Sequence, residues 1–150
     1  MIDSQKSRTV LITGATGYIG RRLKHRLLEI PSLSVRLFVR NKNKVQVSVA
    51  DRGGIKEGST FDKDSLEAAL NGVDTAFYLI HSMGTTDNYR NLDRVSAENF
   101  RDTCIEAGVR RIIYLGGLGV KESASEHLLS RIETGEILSA KPDRIQTIWL

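Results

Sequence analysis

Three glycines, Gly14, Gly17 and Gly20, stand three residues apart in VLITGATGYIG (10–20), behind an apolar run and ahead of an amphipathic stretch. A glycine turn between a strand and a helix can hold a pyrophosphate, because backbone N–H groups and the positive end of the helix dipole both face the anion. Gly14 would permit the tight turn, Gly17 would admit the pyrophosphate close to the backbone, and Gly20 would let the helix lie against the strand. Ala15, Thr16, Tyr18 and Ile19 complete the loop and are expected cofactor contacts. A tight turn without a ligand would use the same glycines; the strand before and the helix after favour the dinucleotide.

Which dinucleotide is usually decided at the end of the second strand, about 20 residues on, where an acid bonds the ribose 2′-hydroxyl of NAD. Here LFVRNKNK (37–44) puts Arg40 at that place. A guanidinium can grip a 2′-phosphate with two hydrogen bonds, so the expectation is NADP(H) in preference to NAD(H). A solvated charge cluster after a strand is the competing reading.

Other residue types carry less. Cys104, four residues after Phe100, reads as a buried small apolar residue rather than a nucleophile. Three scattered histidines and one cysteine give no metal-ligand spacing. Glu133 and Glu136 lack the facing geometry of acid/base carboxylates and read as solvated. His81 and Ser82 follow a strand directly, a place where substrate contacts occur, although a loop polar pair is commonly just solvated.

The elements that must position these residues alternate along the whole chain. Strands are expected at 9–13, 35–39, 55–56, 75–80, 111–115 and 145–150. Between them, Ile19, Leu23, Leu27 and Ile30 mark a helix face ended by Pro31, and Asp62 or Asp64 caps a short helix closed by Asn71-Gly72. Leu92, Val95, Asn99, Phe100, Thr103 and Ala107 form a third stripe before Gly108. A fourth starts at Ser123 or Ser125 and buries Leu128, Ile132 and Leu138. Residues 41–58 fit either a short helix plus strand or an alternating strand on Val45, Val47 and Val49. The pattern defines an α/β fold: a Rossmann-like, doubly wound parallel sheet of about six strands with helices on both faces.

A chain of 150 residues, 40 % hydrophobic and 27 % charged, suits one domain, taken as 1–150. The net charge of +4 favours anionic partners, but its basic clusters lack interleaved aromatics, which makes nucleic acid an unlikely partner. No apolar run approaches the ~20 residues of a membrane span. A polar start and a single cysteine lead to the expectation of a cytoplasmic protein.

Four segments, VLITGATGYIG, DTAFYLIHSMG, NFRDTCIEAGVRRIIYLGGLG and HLLSRIETGEIL, together resemble the atypical, NmrA-like branch of the short-chain dehydrogenase/reductase superfamily. Proteins of this branch are often described as NAD-dependent epimerase/dehydratase or nucleoside-diphosphate-sugar epimerase-like. The resemblance implies a cofactor across the C-terminal strand ends, with Leu79, Ile80 and His81 on the nicotinamide side and Gly116 and Gly117 after the fifth strand. It also implies a Tyr-x-x-x-Lys catalytic pattern on the following helix. Here His127 takes the tyrosine position, Arg131 the lysine position, and Gly117 stands near the usual serine. Arg131 could hold a ribose but would not titrate, and His127 could transfer protons or simply be a polar residue at a helix start. Alcohol dehydrogenase activity is therefore expected to be weak or absent.

Two functions follow as alternatives: an NADP(H)-dependent oxidoreductase or epimerase-like enzyme acting on an unknown small molecule, or a non-catalytic NADP(H) sensor. Family members of this type continue past a sixth strand into a substrate lid, so the chain reads as a cofactor domain lacking that part. Trp149 and Leu150 are expected to offer an apolar edge for self-association.

Overall fold

The computed structural model describes residues 7–45, 54–81, 88–117 and 119–150. Among the described residues, six strands and four helices follow one another: β1 Arg8–Thr13, α1 Tyr18–Leu28, β2 Leu33–Val39, β3 Ile55–Glu57, α2 Lys63–Leu70, β4 Thr75–Tyr78, α3 Tyr89–Glu106, β5 Arg111–Tyr114, α4 Glu126–Leu138 and β6 Gln146–Trp149. The strands form one parallel sheet in the order β3-β2-β1-β4-β5-β6. This is the doubly wound Rossmann arrangement read from the alternation of runs.

Period-2 alternation along each strand divides the core in two. Val10, Ile12, Val35, Leu37 and Val39 face α1, with Leu23, Leu27 and Leu28 packed on them. Leu11, Phe38, Ala76, Tyr78, Ile112 and Tyr114 face the opposite way, against Leu66, Leu70, Ala97, Phe100, Cys104 and Leu138 of α2, α3 and α4. Helix cover thus changes sides between β1 and β4. The carboxyl ends of those two strands open a crevice at the reversal, the position where such sheets bind ligands.

Local chemistry sets the element ends. Asp62 caps α2 by accepting from the Ser65 N–H, and Ser125, rather than Ser123, caps α4 by accepting from Leu128 N–H at 3.3 Å. Arg36 on β2 closes the other end of α2, its Nη1 donating to the carbonyls of Ala69 at 2.6 Å and Asn71 at 2.7 Å. β4 stops at Tyr78, two residues before the expected end, because the Thr13 hydroxyl accepts the Leu79 N–H at 3.1 Å in place of a strand carbonyl. Residues 42–44 form a single 3₁₀ turn, and β3 begins at Ile55; the rest of the ambiguous stretch, 46–53, lies outside the described residues.

Two helix stripes differ from expectation. On α3, Phe100 and Thr103 of the expected stripe are buried, but the rest of the buried face is Asp93, Ser96, Ala97 and Cys104, and Leu92 is 36 % exposed. Polar residues can be buried there because each finds a partner. Ser130 Oγ donates to Asp93 Oδ2 at 2.7 Å, Ser96 Oγ donates to Thr60 Oγ1 at 2.7 Å, and the Tyr78 hydroxyl lies 2.7 Å from Ser96 Oγ. On α1, Ile19 is 45 % exposed, whereas Lys24 is only 5 % exposed. Glu136 is exposed, in keeping with the solvated reading, and pairs with Lys121; Glu133 is half-exposed and pairs with Arg90.

Candidate dinucleotide site

The glycine turn folds into a compact knot at the reversal crevice. Gly14 has φ +65°, and a methyl group there would fall 2.6 Å from the Leu79 carbonyl oxygen. Only glycine fits such a residue without strain. Gly17 N–H donates to Gly14 O at 3.1 Å, closing the turn, and a Cβ at Gly20 would run into that same Gly14 oxygen. The Thr13 hydroxyl donates to Phe77 O at 2.8 Å while accepting from Leu79 N–H, so it clamps the ends of β1 and β4 together. Sequence reading missed Thr13; its place just before Gly14 at a strand end was the available signal.

Gly17 caps α1 with no side chain, and the first turn of the helix contains no acid. The N–H groups that a capping oxygen would otherwise occupy, and the positive helix end, therefore face the crevice. Tyr18 is 63 % exposed beside the turn, with the Arg22 guanidinium 3.6 Å above its ring centroid. These residues fit the pyrophosphate of a dinucleotide: a bare backbone, free donors and no competing carboxylate.

Beside the turn, Ala15, Thr16, Arg21, Arg22, Lys24, His25, Lys44 and Val45 line a cleft of about 490 Å³. Lys24 and Lys44 thus join the glycine turn. Arg40 is exposed at the end of β2, immediately before Asn41, whose side chain caps the 3₁₀ turn holding Lys44.

Across the crevice, β4 delivers Leu79 toward the α1 side and Ile80 toward the opposite core, and His81 follows half-buried. The His81 ring lies 6.2 Å from that of Tyr114 at the end of β5. Tyr114 donates its hydroxyl hydrogen to the Arg131 carbonyl at 2.9 Å, which fixes this turn of α4 against the sheet. A Cβ at Gly117 would meet Leu128 Cδ1 at 2.5 Å and Arg131 Cδ at 3.4 Å, so the bare glycine leaves room for the arginine stem. Burial, then the Arg131 charge, holds the His81 pKa below 6.5, with Asp93 opposing. Burial pushes Tyr114 up to about 12 and raises Tyr78 as well, so neither ionises near neutrality.

The structure therefore brings Arg131 together with His81, Tyr114 and Gly117. His127 is not in this group: it is exposed and stacks on Tyr89, ring centroids 4.8 Å apart. Gly116 packs against the Trp149 indole, which also lies on Gly135, and Ser82 falls outside the described residues. Cys104 is buried, and burial raises its pKa above 9.0.

A doubly wound sheet with an uncapped glycine turn at its reversal defines a dinucleotide-binding domain. The chain belongs to the NAD(P)H-binding family, whose model matches residues 14–146. It is 31 % identical over 125 residues to a (4-alkanoyl-5-oxo-2,5-dihydrofuran-3-yl)methyl phosphate reductase of Streptomyces griseus subsp. griseus, covering 81 % of this chain and 39 % of that protein. The Citrobacter sp. triphenylmethane reductase complexed with NADP(H) superposes with a TM-score of 0.76 at 26 % identity, covering 93 % of this chain and 48 % of that one. The NADPH-dependent quinone oxidoreductase of Escherichia coli complexed with NADPH gives 0.75 at 25 %, covering 93 % and 47 %. The chain thus spans less than half the length of each. The resemblance is borne out: the chain is an NAD(P)H-binding domain similar to that of known reductases. These relatives are themselves named as reductases or oxidoreductases. Among the described residues, no helix is long and apolar enough to cross a membrane.

Proposed function

We propose that this chain is the cofactor-holding part of an NADP(H)-dependent reductase acting on a small organic acceptor. The observation that carries this reading is the glycine knot packed on Leu79 and opening an uncapped α1. In this role the N–H groups of the first turn of α1 hold the pyrophosphate, Gly17 keeps the approach clear, and Leu79, Ile80 and His81 flank the reacting end. When bound, the dihydronicotinamide supplies hydride. The protein's own part is to orient the two partners and exclude water from the crevice. The acceptor is proposed by likeness to the relatives, whose names give a dihydrofuran-type phosphate, triphenylmethane dyes and quinones.

The preference for NADP(H) rests on Arg40 together with the basic cleft. No acid occupies the position at the end of β2 that would bond a ribose diol, and Arg21, Arg22, Lys24 and Lys44 add positive charge beside it. Calorimetric titration with NADPH and NADH tests both points. NADPH is expected to bind at least tenfold tighter, and Arg40→Asp to reduce or invert that ratio. A variant that keeps its NADPH preference removes Arg40 from the site, and no binding of either nucleotide removes the cofactor role from this chain.

Simple alcohol oxidation is expected to be weak. A tyrosinate base needs a lowered pKa, and the tyrosines at the strand ends, Tyr78 and Tyr114, are shifted the other way by burial. The family's tyrosine position holds the exposed His127 instead. Robust turnover of alcohols that vanishes in His127→Ala would reverse this view.

A further inference from the structure

Most arginines packed in this structure are matched. Arg90 bonds Glu126 and Glu133, Arg101 bonds Asp102, Arg36 caps α2, and Arg111 bonds Gln146. Arg131 differs. It is half-buried at the crevice, yet its guanidinium has no hydrogen-bond or ion-pair partner among the described residues. Its backbone, by contrast, is fixed twice over: the Arg131 carbonyl accepts from Tyr114, and the adjacent Ser130 is anchored to the buried Asp93. A rigidly mounted cation whose guanidinium has no ion-pair partner among the described residues is arranged to meet an anion from outside.

We propose that Arg131, mounted between His81 and Gly117 at the ends of β4 and β5, binds an oxyanion group carried by the substrate, a carboxylate or a phosphate. The inference names the substrate class for the reductase read above and rests on that reading for calling the ligand a substrate. The subsite itself needs no dinucleotide to exist.

The chemistry follows from the neighbours. A guanidinium stays charged at every physiological pH and offers parallel N–H donors that match two oxygens of one anion. His81, facing Arg131 from β4 with Tyr114 beside it and Asp93 behind, is neutral at pH 7 and so offers a hydrogen bond without a second charge. The bare Gly117 keeps the end of β5 from pressing on the arginine stem. An anionic ligand would thus be gripped by a fixed charge, with affinity nearly independent of pH from 6 to 9 for a carboxylate and following only the ligand's own second ionisation, at about pH 6, for a phosphate.

The test is titration of the 150-residue chain with benzoate, phenyl phosphate and neutral benzamide, followed by amide chemical shifts. At least one of the two anions is expected to bind, perturbing the amides of residues near Gly117 and Arg131, with benzamide at least tenfold weaker. Preference between benzoate and phenyl phosphate identifies which oxyanion the subsite takes. Arg131→Gln is expected to weaken the anion at least tenfold, Arg131→Lys less, and His81→Gln no more than about threefold. Benzamide binding as well as benzoate and phenyl phosphate, or Arg131→Gln leaving their affinities unchanged, overturns the proposal. A wild-type affinity that rises steeply from pH 8 to pH 6 also overturns it, because the cation would then be an imidazolium; that measurement needs no variant to fold. NADPH titrated in parallel keeps the two readings apart: its failure to bind counts against the cofactor role and leaves the anion arm intact.

Discussion

Single atoms decide most at the glycine turn. A methyl group at Gly20 has no room beside the Gly14 oxygen, and both partners are backbone, so relief requires α1 to move off the sheet. Gly20→Ala is expected to destabilise the domain by roughly 1–3 kcal/mol, the range of an overpacked core, and to abolish dinucleotide binding. Gly72→Ala is the matched control: φ is +76° there but nothing lies near the added carbon, so only the left-handed strain of about 1–2 kcal/mol applies and binding should persist. Urea midpoints and NADPH titrations of both variants check this. Equal loss of binding in the two would mean that binding follows global stability rather than the turn. All three glycines were legible in the sequence because Gly17 and Gly20 close on the Gly14 oxygen within the turn, although the Leu79 carbonyl that Gly14 abuts lies far along the chain. The unmatched state of Arg131 was not, since it depends on which acids α3 and α4 bring elsewhere.

Helix α3 packs on α4 through polar residues as much as apolar ones. The Asp93–Ser130 bond is buried at its centre, and Arg90 reaches Glu126 and Glu133 at its edge. Ser130→Ala leaves Asp93 short of a donor in a buried setting, a loss of about 1–3 kcal/mol, whereas removing the exposed Glu126 should cost under about 1 kcal/mol. Chemical denaturation of the two variants tests the ordering; a larger cost for Glu126→Ala contradicts it. This contact also explains where the sequence could mislead. Apolar periodicity located α3 and its end at Gly108, but a stripe weighted by hydrophobicity selects Leu92 and passes over Asp93 and Ser96. Their burial depends on Ser130, Thr60 and Tyr78, residues 18 to 37 positions away, so no local pattern announces it. The parallel, doubly wound character of the sheet was easier to read, because alternating strands and helices with right-handed crossovers leave few arrangements.

For the molecule as a whole, the displaced protonation equilibria bound the pH range of greatest stability. His81 has its folded pKa lowered, so its contribution is full above 6.5 and is lost as pH falls through the folded value. Cys104 and Tyr114 have theirs raised, so their contributions are full below 9.0 and 10.0 respectively and are lost as pH rises; for Tyr114 the loss extends to about 12. The unfolding free energy is therefore expected to be level between about pH 6.5 and 9 and to fall on both sides. Tyr114→Phe should make the fall above pH 10 shallower; an unchanged slope in urea titrations would show that this hydroxyl is already open to water. The indole of Trp149 gives the same molecule a built-in optical gauge. It is the only tryptophan of the chain, and it lies over Gly116 and Gly135 with its ring 6.1 Å from that of Tyr114, at the end of β5. An indole emits in the band where a dihydronicotinamide absorbs and an oxidised nicotinamide does not. Quenching of its emission should therefore report occupancy by the reduced cofactor alone, and its recovery should time the departure of each hydride without any added dye.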